Sequence, residues 1–275
     1  MQNAHTSVVP KTNMSKDLYT NEKPNTTTGQ PNQRYTSLTG LVFICFFISI
    51  LAVSAVILAG LGSRWGWWHF RTGLIILKYG GYASLVGAGL SLLGCVWAGF
   101  MGARLSFVIA LIGLFITVPV AGTLWQWKVK AQTVPRIHDI TTDTENPPSF
   151  KAILPMRRDA LNPSDYGGRE IAAQQRAGYP DIGPLMLTVS PDEAFQKAVS
   201  AAVNMGWQVV DVNQAEGRIE ATDTTCWFGF KDDIVVRIVP DGAGSRIDIR
   251  SVSRVGISDV GTNARRIQKF LKKVS

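Results

Sequence analysis

The chain has 275 residues, of which 46% are hydrophobic, and a formal net charge of +8 at pH 7. Residues 1–138 hold eleven Lys and Arg residues against two acids, whereas residues 139–275 hold seventeen against eighteen. Since the C-terminal half is close to neutral, it lacks the basic surface of a nucleic-acid-binding domain, and we exclude that class of partner. The three cysteines have neither the number of a disulfide framework nor the spacing of metal ligands, so we expect no metal and no other cofactor.

Residues 1–40 are rich in Thr, Asn, Pro, Gln and Lys and contain few apolar residues. A segment of this composition cannot bury enough apolar surface to offset the entropy that it would lose on ordering. We therefore expect a disordered polar tail. A signal peptide would carry a shorter apolar core much nearer to Met1, so we expect no cleavage here.

An apolar block extends from residue 41 to residue 127, and no carboxylate occurs between Glu22 and Asp139. Four bases, Arg64, Arg71, Lys78 and Arg104, leave three apolar runs at residues 41–61, 79–100 and 105–124. Each run has about the twenty residues that are needed to cross a hydrocarbon core roughly 30 Å thick. We predict three transmembrane helices. Because no Asp, Glu or His lies inside them, we interpret them as an anchor and scaffold rather than an ion pathway.

Tryptophans cluster at two ends of the predicted spans. Trp65, Trp67 and Trp68 follow the first span, and Trp125 and Trp127 lie at the end of the third. Indole rings favour the headgroup layer of a bilayer, so we interpret both clusters as interfacial belts. An aromatic binding groove is the alternative interpretation.

Small residues recur at every fourth position of the second span, namely Ala83, Gly87, Ser91, Cys95 and Gly99. The third span offers a matching set, Ser106, Ala110, Gly113 and Thr117. Such surfaces let helix backbones approach each other closely in lipid. The link of residues 101–104 is short, which predicts that the second and third spans form an antiparallel hairpin.

The remaining residues, 133–275, have the pattern of a soluble domain. A loop rich in Pro, Thr and Asp precedes a predicted helix at residues 168–177, and Ser190 and Glu193 form a capping box that starts a second helix. Strands are predicted at residues 185–189, 207–212, 218–230, 234–239 and 246–252, and a closing helix at residues 259–274.

Tight turns join the last four predicted strands, which indicates an antiparallel meander. The fold class is therefore α+β, with two layers in which helices cover one face of the sheet. In the last strand Ile247 and Ile249 alternate with charged residues. This alternation predicts one buried and one solvent-exposed sheet face.

Two motifs make the soluble domain recognisable. The first is PRIHDITTD at residues 135–143, followed by Asn-Pro-Pro at residues 146–148, and the second is RSVSRVGISDVGTNARRI at residues 250–267. Together they resemble the bacterial family catalogued as domain of unknown function 1499, over about residues 133–273. Members of that family with an N-terminal three-span membrane region are also known. The resemblance implies a fold and no established activity, so it assigns no catalytic residues.

His138, Asp139 and Asp143 are the one constellation with a catalytic pattern. A histidine beside carboxylates can act as a general base or as a metal ligand with carboxylate support. The alternative is a loop in which Asp and Thr side chains bond to their own backbone. We assign no catalytic residue and keep these three as candidates.

Arg254, Ser258, Asp259 and Asn263 are the candidate ligand-binding residues, because they surround the start of the closing helix. Backbone N–H groups at a helix start bind anions, and Arg adds a planar fork for carboxylate or phosphate. An internal network that ties Arg254 to an aspartate explains the same residues.

These features predict an integral membrane protein of unknown biochemical function that acts as an envelope-associated binding or accessory module. Its expected partners are the lipid bilayer and an envelope protein or lipid. The alternatives are a membrane-anchored hydrolase-like enzyme that uses His138, Asp139 and Asp143, and a purely structural protein. We expect a bacterial inner-membrane location. The bases on the two sides of the spans nearly balance, and we place the domain in the periplasm because export of a basic tail is unfavourable.

Overall fold

The computed structural model describes residues 33–275, with side chains from Thr39 onward. The predicted disordered tail lies outside the described residues as far as residue 32, whereas residues 33–40 are helical. Residues 42–275, which include most of the apolar block and the whole soluble domain, form one compact unit.

Three long helices form the N-terminal region: α1 (Gln33–Arg64), α2 (Phe70–Phe100) and α3 (Arg104–Thr133). Their most apolar windows have mean hydropathies of 3.0, 1.7 and 2.4, and each helix is long enough to cross a membrane. The three predicted apolar helices are confirmed, and each helix is longer than the apolar run that predicted it.

The second helix begins earlier than its apolar run indicates, so Arg71 and Lys78 lie inside α2 rather than in an interfacial loop. The side chain of His69 caps this helix, because its Nδ1 accepts a hydrogen bond of 3.3 Å from the backbone N–H of Arg71. Long basic side chains near a helix end reach the headgroup layer without breaking the helix. The bases that bound the predicted apolar run therefore do not mark the end of the helix.

The small residues of α2 and α3 are packed against neighbouring helices. Gly87, Ser91 and Cys95 are buried, as are all four of the predicted residues on α3. A Cβ built at Gly113 would lie 2.7 Å from Oγ of Ser91, so the two backbones approach as closely as glycine allows. Gly99 is exposed instead, because a spacing of four drifts around a helix of 3.6 residues per turn.

The soluble domain contains six strands: β1 (Asp139–Thr141), β2 (Leu185–Leu187), β3 (Gln208–Asn213), β4 (Arg218–Thr224), β5 (Lys231–Asp241) and β6 (Gly244–Ser253). Its helices are α4 (Gly168–Gly178), α5 (Pro191–Asn204) and α6 (Thr262–Val274), with one 3-10 turn at Leu154–Arg157. The sheet order is β1-β6-β5-β4-β3, β2 also pairs with β6, and all pairs are antiparallel. The predicted α+β class and meander are confirmed.

Strand β1 was not predicted, because three residues in a Pro- and Thr-rich loop carry no strand pattern. It forms by pairing with residues 250–252, near the C-terminal end of β6. On the other edge of β1, the side chain of Gln175 in α4 donates a hydrogen bond to the carbonyl of Thr141 and accepts one from the N–H of Thr141. Pairing with distant residues therefore creates this strand.

One face of the sheet packs against α5 and α6. Ile219, Ile234 and Ile249 from this face pack with Phe195 of α5 and Ile267 of α6 in one apolar core. The predicted capping box is confirmed, since Oγ of Ser190 accepts a hydrogen bond of 3.3 Å from the N–H of Glu193.

The prediction that the other face is solvent-exposed is wrong. Asp248 is fully buried and Arg250 is 3% exposed, because residues 142–166, which are irregular apart from the 3-10 turn, cover this face. Phe150 and Ile153 from that segment pack on Val235 and Val252 between the charged positions. Alternation showed which residues share a face, but a distant segment decided that both faces are covered.

Candidate functional site: a cleft between the helices and the soluble domain

Two of the three candidate catalytic residues, His138 and Asp139, bond to β6 and α6. Asp139 is buried and forms a two-pronged ion pair with Arg250, at 2.9 and 2.7 Å. His138 contributes its backbone carbonyl, which accepts from Ser253 and from the side chain of Asn263. Its imidazole forms no hydrogen bond with any other residue that the structure describes.

Asp143 organises the loop that follows β1. Its Oδ1 accepts from the backbone N–H of Glu145 and Asn146, and its Oδ2 accepts from Arg237 and Arg246, both at 3.0 Å. Burial opposes ionisation, but the two backbone donors and the arginines outweigh it, so the pKa of Asp143 lies below its ordinary value. The carboxylate is thus an acceptor at the centre of a network.

The four candidate ligand-binding residues are also engaged internally. Arg254 donates twice to Asp233, at 2.8 Å each, and Asp259 accepts from the N–H groups of Gly261 and Asn263 at the start of α6. The fully buried Asn263 bridges Ser251, Ser253 and the carbonyl of His138. Oγ of Ser258 accepts from the N–H of Val260. These contacts hold α6 against β1 and β6.

A different part of the domain meets the membrane helices. The segment of residues 225–230, between β4 and β5, carries Trp227, Phe228 and Phe230, and we call it the aromatic tip. Nε1 of Trp227 donates a hydrogen bond of 2.9 Å to the carbonyl of Ile57 in α1. Gly60 leaves room for the indole, since a Cβ there would lie 2.4 Å from the Trp227 ring.

Further contacts attach the aromatic tip to all three helices. Arg64 at the end of α1 donates to the carbonyls of Thr225 and Cys226. The ring of Phe230 meets Phe70 of α2 at 5.8 Å, and that of Trp227 meets Trp127 of α3 at 5.4 Å. The aromatic tip therefore contacts α1, α2 and α3.

The aromatic tip, α2, α3 and the start of α6 enclose a cleft with a volume of about 640 Å³, which we call the junction cleft. Its walls are mostly apolar side chains, among them Leu74, Leu85, Leu124, Trp127, Phe228 and Phe230. Clefts of roughly 300–1,000 Å³ with apolar walls and few polar groups are typical of small-ligand sites. The cleft lies where the transmembrane helices meet the soluble domain.

Charged groups line the same cleft. Its cations are Lys78 from α2, Lys128 and Lys130 from α3, and Arg265 from α6, and one carboxylate, Asp259, also lines it. Burial raises the pKa of Asp259, although the two backbone N–H groups that it accepts from act in the opposite direction. The cleft therefore combines apolar walls with a net positive charge.

Backbone strain occurs at this cleft. Val260 lines it and has a φ of +52°, the one positive φ at a residue other than glycine among residues 33–275. A β-branched residue in this conformation costs of order 1–3 kcal/mol, and such strain concentrates at functional sites. The three residues from Asp259 to Gly261 turn tightly before α6, so the helix begins at Thr262 and not at the predicted Asp259.

The junction cleft has the chemistry of a binding site. No cysteine or histidine lines it, and no group of three or more metal-ligating side chains occurs among the described residues. Its side-chain hydroxyl groups come from Tyr82, Thr225 and Thr262. Apolar walls and bases together fit an amphipathic molecule.

Sequence reasoning identified part of this site. Trp125 and Trp127 line the cleft, which favours the groove interpretation at the end of α3. Trp65 and Trp67 are 55% and 62% exposed and do not line the cleft. The aromatic tip was missed because it was assigned to a long strand. The available signal was three aromatic residues among six that interrupt the strand pattern.

Comparison with known proteins gives a family and no function. The family model described as "Protein of unknown function (DUF1499)" matches residues 139–274. No curated protein matches the sequence.

Proposed function

The soluble domain matches the model of the DUF1499 family, whose function is unknown, and we propose a function from the junction cleft. The protein is a membrane-embedded binding module that holds the apolar part of a membrane lipid between α2, α3 and the aromatic tip. One observation carries this proposal, namely the apolar cleft of about 640 Å³ that opens between the spans and the soluble domain.

The walls of the cleft support a lipid rather than a water-soluble ligand. Leu74, Leu85 and Leu124 belong to helices that are long and apolar enough to cross a membrane. A ligand between them can enter sideways from the hydrocarbon layer without crossing water. Because an acyl chain already lies in hydrocarbon, its binding there rests on van der Waals packing against the walls and not on its removal from water.

The hydrolase hypothesis receives no support from residues 33–275. Asp139 is paired with Arg250, and Asp143 is held by two backbone N–H groups and two arginines. A general base needs a lone pair within reach of a substrate proton. The contacts of both carboxylates support a structural role, and we therefore propose binding without covalent chemistry.

Lipid occupancy is testable in nanodiscs that contain phosphatidylcholine with a photoreactive diazirine on its acyl chain. We expect labelling of the aromatic tip, because an acyl chain in the cleft contacts Trp227 and Phe230. Leu85→Trp puts a larger side chain into the cleft wall and should reduce this labelling by roughly tenfold, which corresponds to 1.4 kcal/mol. Mass spectrometry of labelled peptides measures it.

Leu93→Trp is the matched control, since Leu93 is 66% exposed on the same helix and does not line the cleft. It should leave labelling of the aromatic tip unchanged. A wild-type protein whose tip is never labelled, or equal labelling in the Leu85→Trp variant, would show that no acyl chain occupies the cleft.

The orientation remains the one expected from the sequence, with the domain on the periplasmic side of a bacterial inner membrane. The bases on the two sides of the helices nearly balance, and the proposal rests on the unfavourable export of a tail that carries Lys11, Lys16, Lys23 and Arg34. A bacterial alkaline phosphatase fused after Ser275 should then be active. A stable but inactive fusion would place the domain in the cytoplasm.

A further inference from the structure

The second inference rests on the proposed function and concerns the headgroup of the bound lipid. We propose that the junction cleft selects a lipid with an anionic headgroup, which Lys78, Lys128, Lys130 and Arg265 bind while the acyl chain lies against α2 and α3. The chemical class is a phosphate or carboxylate headgroup with net negative charge.

The four cations reach the cleft from three separate elements. Lys78 lies on α2, Lys128 and Lys130 lie on α3, and Arg265 lies on α6 of the soluble domain. Bases at helix ends are common at membrane surfaces, but a base from a soluble domain at the same cleft is a different feature. The fold therefore adds a cation to those that the membrane helices already supply.

None of these four cations has a carboxylate within salt-bridge distance among residues 39–275. By contrast, the arginines of the central strands form ion pairs, and so does Arg266, which follows Arg265 in α6. Ion pairs engage Arg218, Arg237, Arg246, Arg250, Arg254 and Arg266. Four of the described cations that lack a carboxylate partner thus line one cleft, where a lipid headgroup would provide a counter-ion.

The carboxylate that lines the cleft is already engaged. Asp259 accepts from the backbone N–H groups of Gly261 at 2.8 Å and Asn263 at 2.6 Å. These N–H groups lie at the positive end of α6, where a carboxylate balances the helix dipole. The charge of Asp259 therefore balances the positive end of the α6 dipole, and the four cations remain available to a ligand.

The strained turn also positions Arg265. Its Nη1 donates to the carbonyl of Val260 at 3.2 Å, and its Nη2 donates to Oγ1 of Thr262 at 3.1 Å. A guanidinium has five N–H donors, so these two bonds leave further donors for a phosphate or carboxylate. The conformation of Val260 thus affects the cleft, because the carbonyl of Val260 accepts the hydrogen bond that holds Arg265.

Two of the lysines lie close to aromatic rings. Nζ of Lys128 lies 5.3 Å from the centre of the Trp125 ring, and Nζ of Lys78 lies 5.7 Å from that of Tyr79. Trp and Tyr rings prefer the headgroup layer, so the two ammonium groups are placed where lipid phosphates lie. The cleft thus combines apolar walls and cations, which match the acyl chain and the headgroup of a lipid.

The experiment uses the full chain in nanodiscs with two diazirine lipids of identical acyl chains, phosphatidylglycerol and phosphatidylcholine, at equal mole fractions and low salt. We expect labelling of the aromatic tip to favour phosphatidylglycerol by roughly tenfold, since each base near the headgroup adds to the attraction. The double variant Lys130→Gln/Arg265→Gln should lose most of this preference and keep its labelling by phosphatidylcholine.

The matched control is Lys269→Gln, which removes one base from the same helix, one turn beyond Arg265 and outside the cleft lining. It should keep the wild-type preference. Equal labelling by both lipids in the wild type would overturn the headgroup proposal and leave the proposed function intact. A loss of preference in the control as large as in the double variant would assign it to general surface charge and also overturn it. Absence of tip labelling by either lipid would instead contradict the proposed function.

Discussion

Replacement of Arg250 by methionine is expected to lower the free energy of unfolding of the soluble domain by roughly 3–5 kcal/mol, because it leaves a buried carboxylate without its partner. Arg250 pairs with Asp139, and both side chains are at most 6% exposed. Its guanidinium also lies between the rings of Phe150 and Tyr166, at 5.3 and 5.4 Å. Methionine keeps much of the apolar contact and removes the charge.

The buried pair already affects its surroundings. Burial, reinforced by the negative charge of Asp139, raises the pKa of Tyr166 to about 12. In the Arg250→Met variant the charge of Asp139 has no compensating partner, and the segment of residues 142–166 also loses two hydrogen bonds from Arg250 to its carbonyls. Both losses act on the covered face of the sheet.

Amide hydrogen exchange on β5 and β6 of the full-length protein in detergent measures this free energy. Arg176→Met is the control, because Arg176 is 55% exposed in its ion pair with Glu145, which is 85% exposed. Exposed pairs of this kind contribute about 0–1 kcal/mol. Equal exchange rates in the two variants would mean that the Arg250–Asp139 pair adds no more than a surface pair.

The second large effect is expected in the membrane helices. Gly87→Leu should destabilise the helical bundle by roughly 1–3 kcal/mol, the usual cost of forcing extra atoms into a packed interface. A Cβ at Gly87 would lie 2.8 Å from Oγ of Ser49 in α1 and 3.4 Å from Cγ2 of Thr117 in α3. The leucine therefore collides with both neighbouring helices.

Gly89→Leu provides a control with the same change in side chain and in helix propensity. Nothing lies within 4 Å of a Cβ built at Gly89, so leucine there extends away from the protein. The midpoint of unfolding with sodium dodecyl sulfate, in full-length protein, should fall for Gly87→Leu only. If both variants unfold at the wild-type midpoint, the close approach of α1, α2 and α3 at Gly87 is wrong.

Local pattern predicted the regular elements well where they depend on neighbours in sequence. The spans follow from apolar runs, and the start of α5 follows from Ser190 and Glu193, because a helix cap involves residues only three positions apart. Strand β1 was missed for the opposite reason. Its hydrogen bonds go to β6, more than a hundred residues away, and no local sequence pattern predicts them.

Only part of the candidate site could likewise be predicted from the sequence. The Trp125 and Trp127 cluster and the basic residues beside it are visible in the sequence. The sequence did not indicate that the aromatic tip returns to these residues from the soluble domain. The hydrogen bond from Trp227 to Ile57 joins residues 170 positions apart, and shape and burial decide such a contact.

The sequence by itself therefore determined that this chain has three apolar helices, an antiparallel α+β domain and a positive charge concentrated near the membrane, because hydropathy and periodicity act over short stretches. Only the tertiary structure decided that both faces of the sheet are covered, that Asp139 and Asp143 are held in internal networks, and that a cleft forms at the junction. These features depend on contacts between distant segments, since a buried charge is stabilised by whichever partner the fold brings to it.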